Sequence, residues 1–407
     1  MLLGYQSRVF FAKRRAAYAR GFRPSGPWRM QPERPPMATM ESKSSSVVAK
    51  IRQICCAGLP SRSFMPLVIA QLREVIPTAC CQFTWASENG RLVNFWSDNF
   101  MPRRMAWIIL NHKRYEVDAG VSFHDLVMFG KPTGNLRVWW QRGFETTATY
   151  AAVFEPYGFK WFLDGIVRDA MRPYGAIAMI RRRDEPDFSA AEESLLAQVL
   201  PYVAHAMRVA AAKPSRFIRA AGRSAMIVCD PQGAVLEWSS EAHQLAVFAL
   251  VDSLNLDAKV AHDDFGEMQS ALRDVALQLC RRIDSTAPVA ELPALVRSNG
   301  WGEFVFRGYR LSRTDGPSDR IGILIEQLVP FEAHLLERVN AFELTMRQKE
   351  IALLSVKGMP NAEVARQLNI TPNTLKDYFK AIYARLEINS HQQLVERLSA
   401  DRPVGVG

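Results

Sequence analysis

Apolar residues near the carboxyl-terminal end of the chain recur with the period of an α-helix. The spacing i, i+4, i+7 and i+11 is followed by Leu375, Phe379, Ile382 and Leu386. The opposite side of this predicted helix carries Asn373, Lys376, Asp377 and Lys380. Thr371 can cap its first turn, and Pro372 takes the first helical position, where a missing N–H costs nothing. A helix with amide, ammonium and carboxylate groups opposite its core suits a groove, and the major groove of DNA is the obvious candidate.

Further helices are predicted on both sides of this one. Thr345 and Gln348 form the Thr-x-x-Gln pattern of a capping box, which opens the first helix. A short helix over 361–368 is followed by a turn at 369–371, which is about the length that a helix-turn-helix requires. Ser390 is expected to cap a last helix whose inward residues are Leu394, Val395 and Leu398.

An ordered set of residues runs through all four elements. Its members are Leu344-Thr345, Arg347, Glu350-Ile351, Gly358, Asn361, Glu363-Val364-Ala365, Leu368, Ile370-Thr371-Pro372, Thr374-Leu375-Lys376, Ile382, Arg385-Leu386 and Ile388. This set resembles the helix-turn-helix of the LuxR-type family of bacterial transcription regulators. The resemblance implies that the third helix enters the major groove and that the fourth contributes to dimerisation.

The resemblance also implies a set of DNA-binding residues. The candidates are Asn373, Thr374, Lys376, Asp377, Tyr378, Lys380 and Arg385. Contacts with base edges are expected for Lys376, Asp377 and Lys380, with Thr374 and Tyr378 near phosphates. Asp377 departs from a simple basic surface, because its carboxylate would be repelled by DNA phosphates. This repulsion is tolerable if Asp377 accepts a hydrogen bond from a cytosine amino group.

Two helix ends depart from the family pattern. Pro360 replaces the usual Ser or Thr cap of the second helix, which leaves Asn361 as the expected cap. Glu387 replaces the usual Gly after the third helix. The alternative interpretation of the four helices is a plain helical core with a solvated charged face. Four ordered elements with this many matches favour DNA binding over that alternative.

Net charge adds little to this argument because it is unevenly placed. The chain carries +10, but the first 36 residues hold eight basic residues against one acidic residue. Residues 1–45 are interpreted as a disordered basic tail, with Met37 or Met40 as an alternative start. Between 343 and 400 there are eight basic and six acidic residues, so a single module should bind DNA weakly and two should act together.

Residues 46–212 are predicted to form an α/β domain. Strands are expected at 80–85, 92–96 and 175–180, and a helix with Leu195, Leu196, Val199 and Leu200 inward is expected after Ser189. The strand, loop and helix at the end of this region are similar to the end of GAF domains, which are small-molecule sensors. Aromatic residues crowd the middle of the region, where an apolar ligand pocket and core packing are equally good explanations. They are Trp107, Trp139, Trp140, Phe144, Tyr150, Phe154, Tyr157, Phe159, Trp161 and Phe162.

Residues 213–330 form the second predicted sensor domain. A hairpin at 225–237, a helix from Ser239 or Ser240, and late strands near 302–312 and 320–328 resemble a PAS fold. Residues 331–342 are predicted to be a connector helix, which would serve as a dimer seam or as a rigid lever. Its apolar residues are Leu335, Leu336 and Val339.

Composition excludes several other classes of protein. With 48% hydrophobic and 23% charged residues and no apolar run of about 18 residues, the chain is predicted to be globular and cytoplasmic. Six cysteines without a CxxC spacing are expected to be reduced, and no metal or cofactor is expected. Gly130-Lys131 ends like a phosphate-binding loop, but Asp125 replaces its first Gly. Neither a Gly-x-Ser-x-Gly elbow nor a kinase motif set is present in the sequence, so no enzymatic activity is expected.

The fold class predicted from these patterns is α+β multidomain, with two α/β sensor domains, GAF-like and PAS-like, before an all-α four-helix helix-turn-helix domain. The predicted function is sequence-specific DNA binding under the control of a small-molecule or protein signal. The expected partners are double-stranded DNA, an unknown small-molecule effector and a second copy of the chain, with RNA polymerase as a further candidate and no membrane. The alternative is a signalling adaptor that binds a ligand or a protein and does not bind DNA.

Overall fold

The computed structural model describes residues 37–99, 104, 108, 111–137, 143–209, 216–251, 266–284, 294–313 and 316–399. The basic segment 1–36 lies outside these residues. Helix α1 occupies Met37–Cys55, so residues 37–45 are helical and not part of a disordered tail. The first residues of this helix include Met, Ala, Glu and Lys, which favour helices.

The first sheet has four antiparallel strands in the order β2-β1-β4-β3. Its strands are β1 (Cys80–Ala86), β2 (Leu92–Ser97), β3 (Phe159–Arg168) and β4 (Pro173–Arg182). The helices of this region are α2 (Ser61–Arg73), α3 (His112–Ala119), α4 (Phe123–Phe129), α5 (Ala148–Val153) and α6 (Ala190–Arg208). The three predicted strands are confirmed as β1, β2 and β4, whereas β3 was missed.

Helix α6 packs across β3 and covers one face of the sheet. A capping box joins Ser189 and Glu192 at its start, as the position of Ser189 indicated. Gly165 on β3 permits the close approach, because a Cβ there would lie 2.9 Å from Leu200 Cδ2 and 3.0 Å from Leu196 Cδ2. Of the predicted inward residues, Leu196, Val199 and Leu200 are buried and Leu195 is half-buried.

The aromatic residues of the first region lie mainly in a second core. Phe144, Tyr150, Phe154, Phe159 and Phe162 are all buried and form one cluster. Phe154 is at its centre, with ring centroids 5.4 Å from Phe144 and 5.2 Å from Phe162, both edge to face. For these five residues core packing is therefore the correct explanation. Tyr157 and Trp161 are half-buried, and Trp107, Trp139 and Trp140 lie outside the described residues.

The second sheet has five antiparallel strands in the order β6-β5-β9-β8-β7. Its strands are β5 (Phe217–Cys229), β6 (Val235–Trp238), β7 (Ala294–Asn299), β8 (Gly302–Arg313) and β9 (Gly316–Pro330). The predicted hairpin is confirmed, with Gly233 at φ 77° in its turn. Gly302 has φ 124° where β8 begins, and a Cβ there would lie 2.3 Å from the Leu328 carbonyl oxygen.

Helices α7 (Ala242–Leu250) and α8 (Gly266–Asp284) pack on the second sheet. The residue before α7 is Glu241 and not one of the two predicted serines, because Ser239 accepts a hydrogen bond from the Met226 N–H. Helix α8 and strand β7 were not predicted. The apolar spacing of Met268, Leu272, Val275 and Leu279 could have identified α8.

The connector helix α9 spans Phe331–Asn340. Leu335, Leu336 and Val339 are buried within the chain and belong to the same core as the two sheets. A dimer seam through these residues is therefore wrong, because they present no surface to a second copy. Periodicity identified the apolar face of this helix, but not the neighbours that cover it.

Candidate nucleic-acid interface

Four helices complete the described chain. They are α10 (Met346–Val356), α11 (Asn361–Gln367), α12 (Pro372–Leu386) and α13 (His391–Ser399). These bounds confirm the four helices that the sequence predicted. The serine before the last of them also acts as predicted, since the hydroxyl of Ser390 accepts from the Gln393 N–H at 3.2 Å.

Local hydrogen bonds fix the first helix of this module. The predicted capping box is confirmed, with the Thr345 N–H donating to Gln348 Oε1 at 2.9 Å and the Gln348 N–H donating to Thr345 Oγ1. Arg347 pairs with Glu350 at 2.9 Å and also donates to the Leu368 carbonyl oxygen. Arg347 thereby joins α10 to the turn that precedes α12.

The second helix begins without a side-chain cap. Pro360 is its N-cap residue, and its carbonyl oxygen accepts from the N–H groups of Glu363 and Val364. The prediction that Asn361 caps this helix is wrong, because Asn361 is already its first helical residue. The turn to α12 then passes through Asn369, which has φ 52°. Asn tolerates this left-handed conformation better than most residues do.

Helix α12 is built as the sequence predicted. The hydroxyl of Thr371 accepts from the Thr374 N–H at 3.1 Å, and Pro372 occupies the first turn. Its apolar face is buried in full: Leu375, Phe379, Ile382 and Leu386. Glu387 ends the helix at φ 55° and ψ 47°, the left-handed conformation that the usual Gly adopts without strain.

The outward face of α12 is exposed to solvent. The exposed candidate residues are Asn373, Thr374, Lys376, Asp377, Lys380 and Arg385, and Tyr378 is half-buried against the core. Lys376 and Lys380 are one turn apart on the same face. Neither ammonium is paired with a carboxylate of the residues that the structure describes. This face thus presents two positive charges together with the Asp377 carboxylate. Such a surface suits a polyanion whose bases offer hydrogen-bond donors and acceptors.

Arg385 is placed differently from the other candidates. It lies in the last turn of α12, and its guanidinium donates to the Glu343 carbonyl oxygen at 2.8 Å. This hydrogen bond joins the end of α12 to the segment that enters the module. The structure therefore shows a positioning contact for Arg385, in addition to its exposed position.

An open groove of about 540 Å³ runs beside α12. Lys376 and Lys380 line one side of it, and Asn361 and His391 are also part of its wall. His391 Nε2 lies 2.8 Å from the Ser355 hydroxyl, which fixes the ring at the start of α13. Sequence reasoning did not include His391 in the site. No periodic or motif signal marks it, because the groove brings together the ends of helices that are distant in sequence.

Other kinds of site receive no support from the described residues. Across the parts of the chain that the structure describes, no group of three His, Cys, Asp or Glu side chains is arranged to hold a metal ion. No helix among the same residues is long and apolar enough to cross a membrane. Of the six cysteines, Cys56 is exposed and the other five are buried, all as free thiols. Burial raises the pKa of Cys55 to about 12, so this thiol is not a reactive nucleophile.

Comparison with protein families identifies the carboxyl-terminal module. Residues 343–398 match the family of bacterial regulatory proteins of the luxR family. Over 71 residues, 17% of this chain, the sequence is 37% identical to the response regulator protein VraR of Staphylococcus saprophyticus. The chain spans about a third of the length of that relative, 34%.

Comparison with solved structures gives weaker likenesses. The phage VqmA–DPO complex is 18% identical and has a TM-score of 0.18, with 44% of this chain and 81% of that chain covered. The Escherichia coli DhaR(N)–DhaL complex is 13% identical and has a TM-score of 0.20, with 75% of this chain and 94% of that chain covered. Likenesses of this size carry no argument about the two sheets.

Proposed function

We propose that this protein is a DNA-binding transcription regulator of the LuxR type, whose two α/β regions receive a signal. One observation carries the proposal. Within the segment that matches the luxR family, α12 buries four apolar residues and presents Lys376 and Lys380 exposed, with no ion-pair partner among the residues that the structure describes. A helix of this kind fits the major groove, where its side chains reach base edges.

Each candidate residue takes a role in this proposal. Lys376, Asp377 and Lys380 contact base edges, since they lie on the exposed face of α12. Thr374 lies beside Thr371 in the first turn, where its hydroxyl can reach a phosphate. Further phosphate or groove contacts are assigned to Asn373, Tyr378 and Arg385. Because Tyr378 is half-buried and Arg385 already bonds to Glu343, these two contribute less than the lysines.

The two sheets are assigned to sensing. We place a GAF-like domain at 46–212, a PAS-like domain at 213–330, the connector at 331–342 and the helix-turn-helix domain at 343–400. The early hairpin β5–β6, the intervening helices and the late pair β8–β9 support the PAS-like assignment. Effector binding would regulate DNA binding by shifting populations, which requires different affinities for the two arrangements.

The functional unit is proposed to be a homodimer on two half-sites about one helical turn apart. The charge of the module supports this, because eight basic residues against six acidic residues give a single copy little electrostatic affinity for DNA. Leu394 and Leu398 of α13 are buried within the chain, so these two residues are not the dimer contact in this arrangement.

Selection of bound fragments from a random DNA pool tests the function directly. The full chain should enrich one sequence, and its affinity for that sequence should fall steeply with salt. Lys376→Ala should weaken binding to the enriched sequence by about 1–3 kcal/mol and relax the preference at one base pair. Lys131→Ala is the matched control, because Lys131 is an equally exposed lysine outside the helical module.

Two results would contradict the proposal. If the pool yields no enriched sequence and the chain ignores duplex DNA even at low salt, the adaptor alternative replaces DNA binding. If Lys376→Ala and Lys131→Ala bind the enriched fragment equally well, the assignment of α12 to the groove is wrong while DNA binding itself stands.

A further inference from the structure

A small cavity lies where the two sheets meet the connector helix. Its volume is about 30 Å³, which is enough for about two water molecules or one small ion. Residues from α2, β2, β5, α7, β9, α9 and the loop before β8 line it, and those with polar groups include Arg62, Arg223, Trp301, Gln327, His334 and Glu337. A bound species here would touch both sheets and the helix that leads to the helix-turn-helix domain.

Trp301 is one of the residues that line this cavity, and its indole N–H is a buried donor. Its side chain is 3% exposed, and no described residue accepts a hydrogen bond from Nε1. The ring packs against two others: Phe248 stacks with it at a centroid distance of 4.3 Å, and Trp85 packs edge to face with it at 5.4 Å. A buried N–H without an acceptor is costly, so this rigidly held donor indicates an acceptor that is not a protein atom.

Arg223 brings a charge that the protein compensates only in part. Its guanidinium donates to Gln327 Oε1 at 3.2 Å, and Gln327 in turn donates to the Trp301 carbonyl oxygen at 2.8 Å. Burial lowers the pKa of Arg223, and the Glu337 carboxylate only partly opposes this effect. Isolated buried cations are expensive, and an anion within the cavity would remove much of that cost.

The remaining charges make the cavity net positive. The Arg62 guanidinium lies 5.4 Å from the centre of the Trp301 ring, and its Cδ would be 2.9 Å from a Cβ at residue 300. Gly300 thus lets the Arg62 side chain lie across the loop. Glu337 is the carboxylate among the lining residues, and it is exposed. Among the described residues that line the cavity, the formal charges are therefore two guanidinium groups and one exposed carboxylate.

We propose that this cavity binds one small inorganic anion of halide size, held by Arg223 and by the indole N–H of Trp301. A volume of this size suits a monatomic anion better than a carboxylate metabolite or phosphate, which need more room and more hydrogen-bond donors. Because α9 forms one wall, the bound anion stabilises the packing of the connector against both sheets. This site is separate from the DNA-binding face.

Thermal unfolding of the full chain in sodium bromide and in sodium gluconate at equal ionic strength tests the proposal. Gluconate is too large to enter, so bromide should raise Tm by about 1–3 °C more than gluconate, with saturation. Trp301→Phe keeps the ring and removes only the N–H, and it should weaken the apparent affinity for bromide about tenfold. Arg223→Met should abolish the bromide-specific rise, whereas Arg219→Met, on the same strand but exposed and paired with Glu326, should retain it.

Anomalous scattering from a crystal grown in bromide locates the bound bromide ion. A peak between Trp301 Nε1 and the Arg223 guanidinium is expected. Equal Tm values in bromide and gluconate, a bromide effect that Trp301→Phe retains in full, or only water density in the cavity would each overturn the assignment. The Trp301 variant decides the matter if Arg223→Met does not fold.

Discussion

Replacing Lys349 with methionine should stabilise the protein by an amount that depends on pH. Lys349 lies on α10, is 3% exposed, and donates from Nζ to Asn340 Oδ1 at 3.2 Å. Burial lowers the pKa of its ammonium from 10.5 to about 8, the nearby Lys50 adds repulsion, and Glu74 opposes both effects. Below pH 8 the folded chain therefore holds a charge in a place that favours the neutral amine.

The magnitude follows from the size of the pKa change. A fall from 10.5 to about 8 corresponds to roughly 3 kcal/mol of lost stability at neutral pH. Between these two pH values the unfolded chain binds a proton that the folded chain has released, so the contribution of Lys349 to stability rises with pH. Methionine removes the penalty but also the hydrogen bond to Asn340, which costs about 1 kcal/mol. The variant should thus be about 2 kcal/mol more stable at pH 7 and slightly less stable at pH 10.5.

Urea denaturation of both proteins from pH 7 to pH 10.5 measures this difference. Wild-type stability alone is not enough, because the raised pKa values of Cys55 and Cys229, about 12 each, lower stability as pH rises above 9. These thiols are common to both proteins, so the difference in unfolding free energy isolates Lys349. Lys357→Met, an exposed lysine at the end of the same helix, should give a constant difference. A constant difference for Lys349→Met as well would refute the assignment of a buried charge.

Two further substitutions test the helical module. Glu387→Gly should raise the free energy of unfolding by about 0.5–1 kcal/mol, since Gly adopts φ 55° without strain and Glu does not. The control Glu387→Ala should bring no gain, and a lower urea midpoint for Glu387→Gly than for the wild type would contradict the prediction. Leu375→Ala should lower stability by about 2–5 kcal/mol, because the side chain is buried and its loss opens a cavity in the core. Unchanged unfolding of the Leu375 variant would show that α12 does not pack as described.

The helical module could be predicted from sequence because its signals are local. The capping box at Thr345, the cap at Thr371 and the apolar spacing of α12 each lie within a few residues of one another. The first two strands of each sheet also have local signals, a hairpin with a glycine at positive φ. These parts of the fold agree with the prediction to within a few residues, except that β5 begins at Phe217, eight residues before the predicted start at Ala225.

The parts that were missed depend on contacts between distant segments. Strand β3 was not predicted, because its aromatic residues are explained equally well by a pocket and by a core until its pairing with β4 is known. The cavity at Trp301 likewise joins α2, β5 and α9, which are separated by more than a hundred residues along the chain. No pattern within one segment reports such a site.

Apolar spacing alone does not distinguish a DNA-reading helix from a core helix, as α8 and α12 demonstrate. Met268, Leu272, Val275 and Leu279 of α8 have the same spacing as the buried face of α12. On its other side, however, α8 packs near the hairpin turn, where Arg273 donates to the Gln232 carbonyl oxygen. Lys376 and Lys380 bond to no described residue of the chain. The functional assignment of α12 therefore depends on the side that the fold leaves open and on the ordered matches around it, and not on its periodicity.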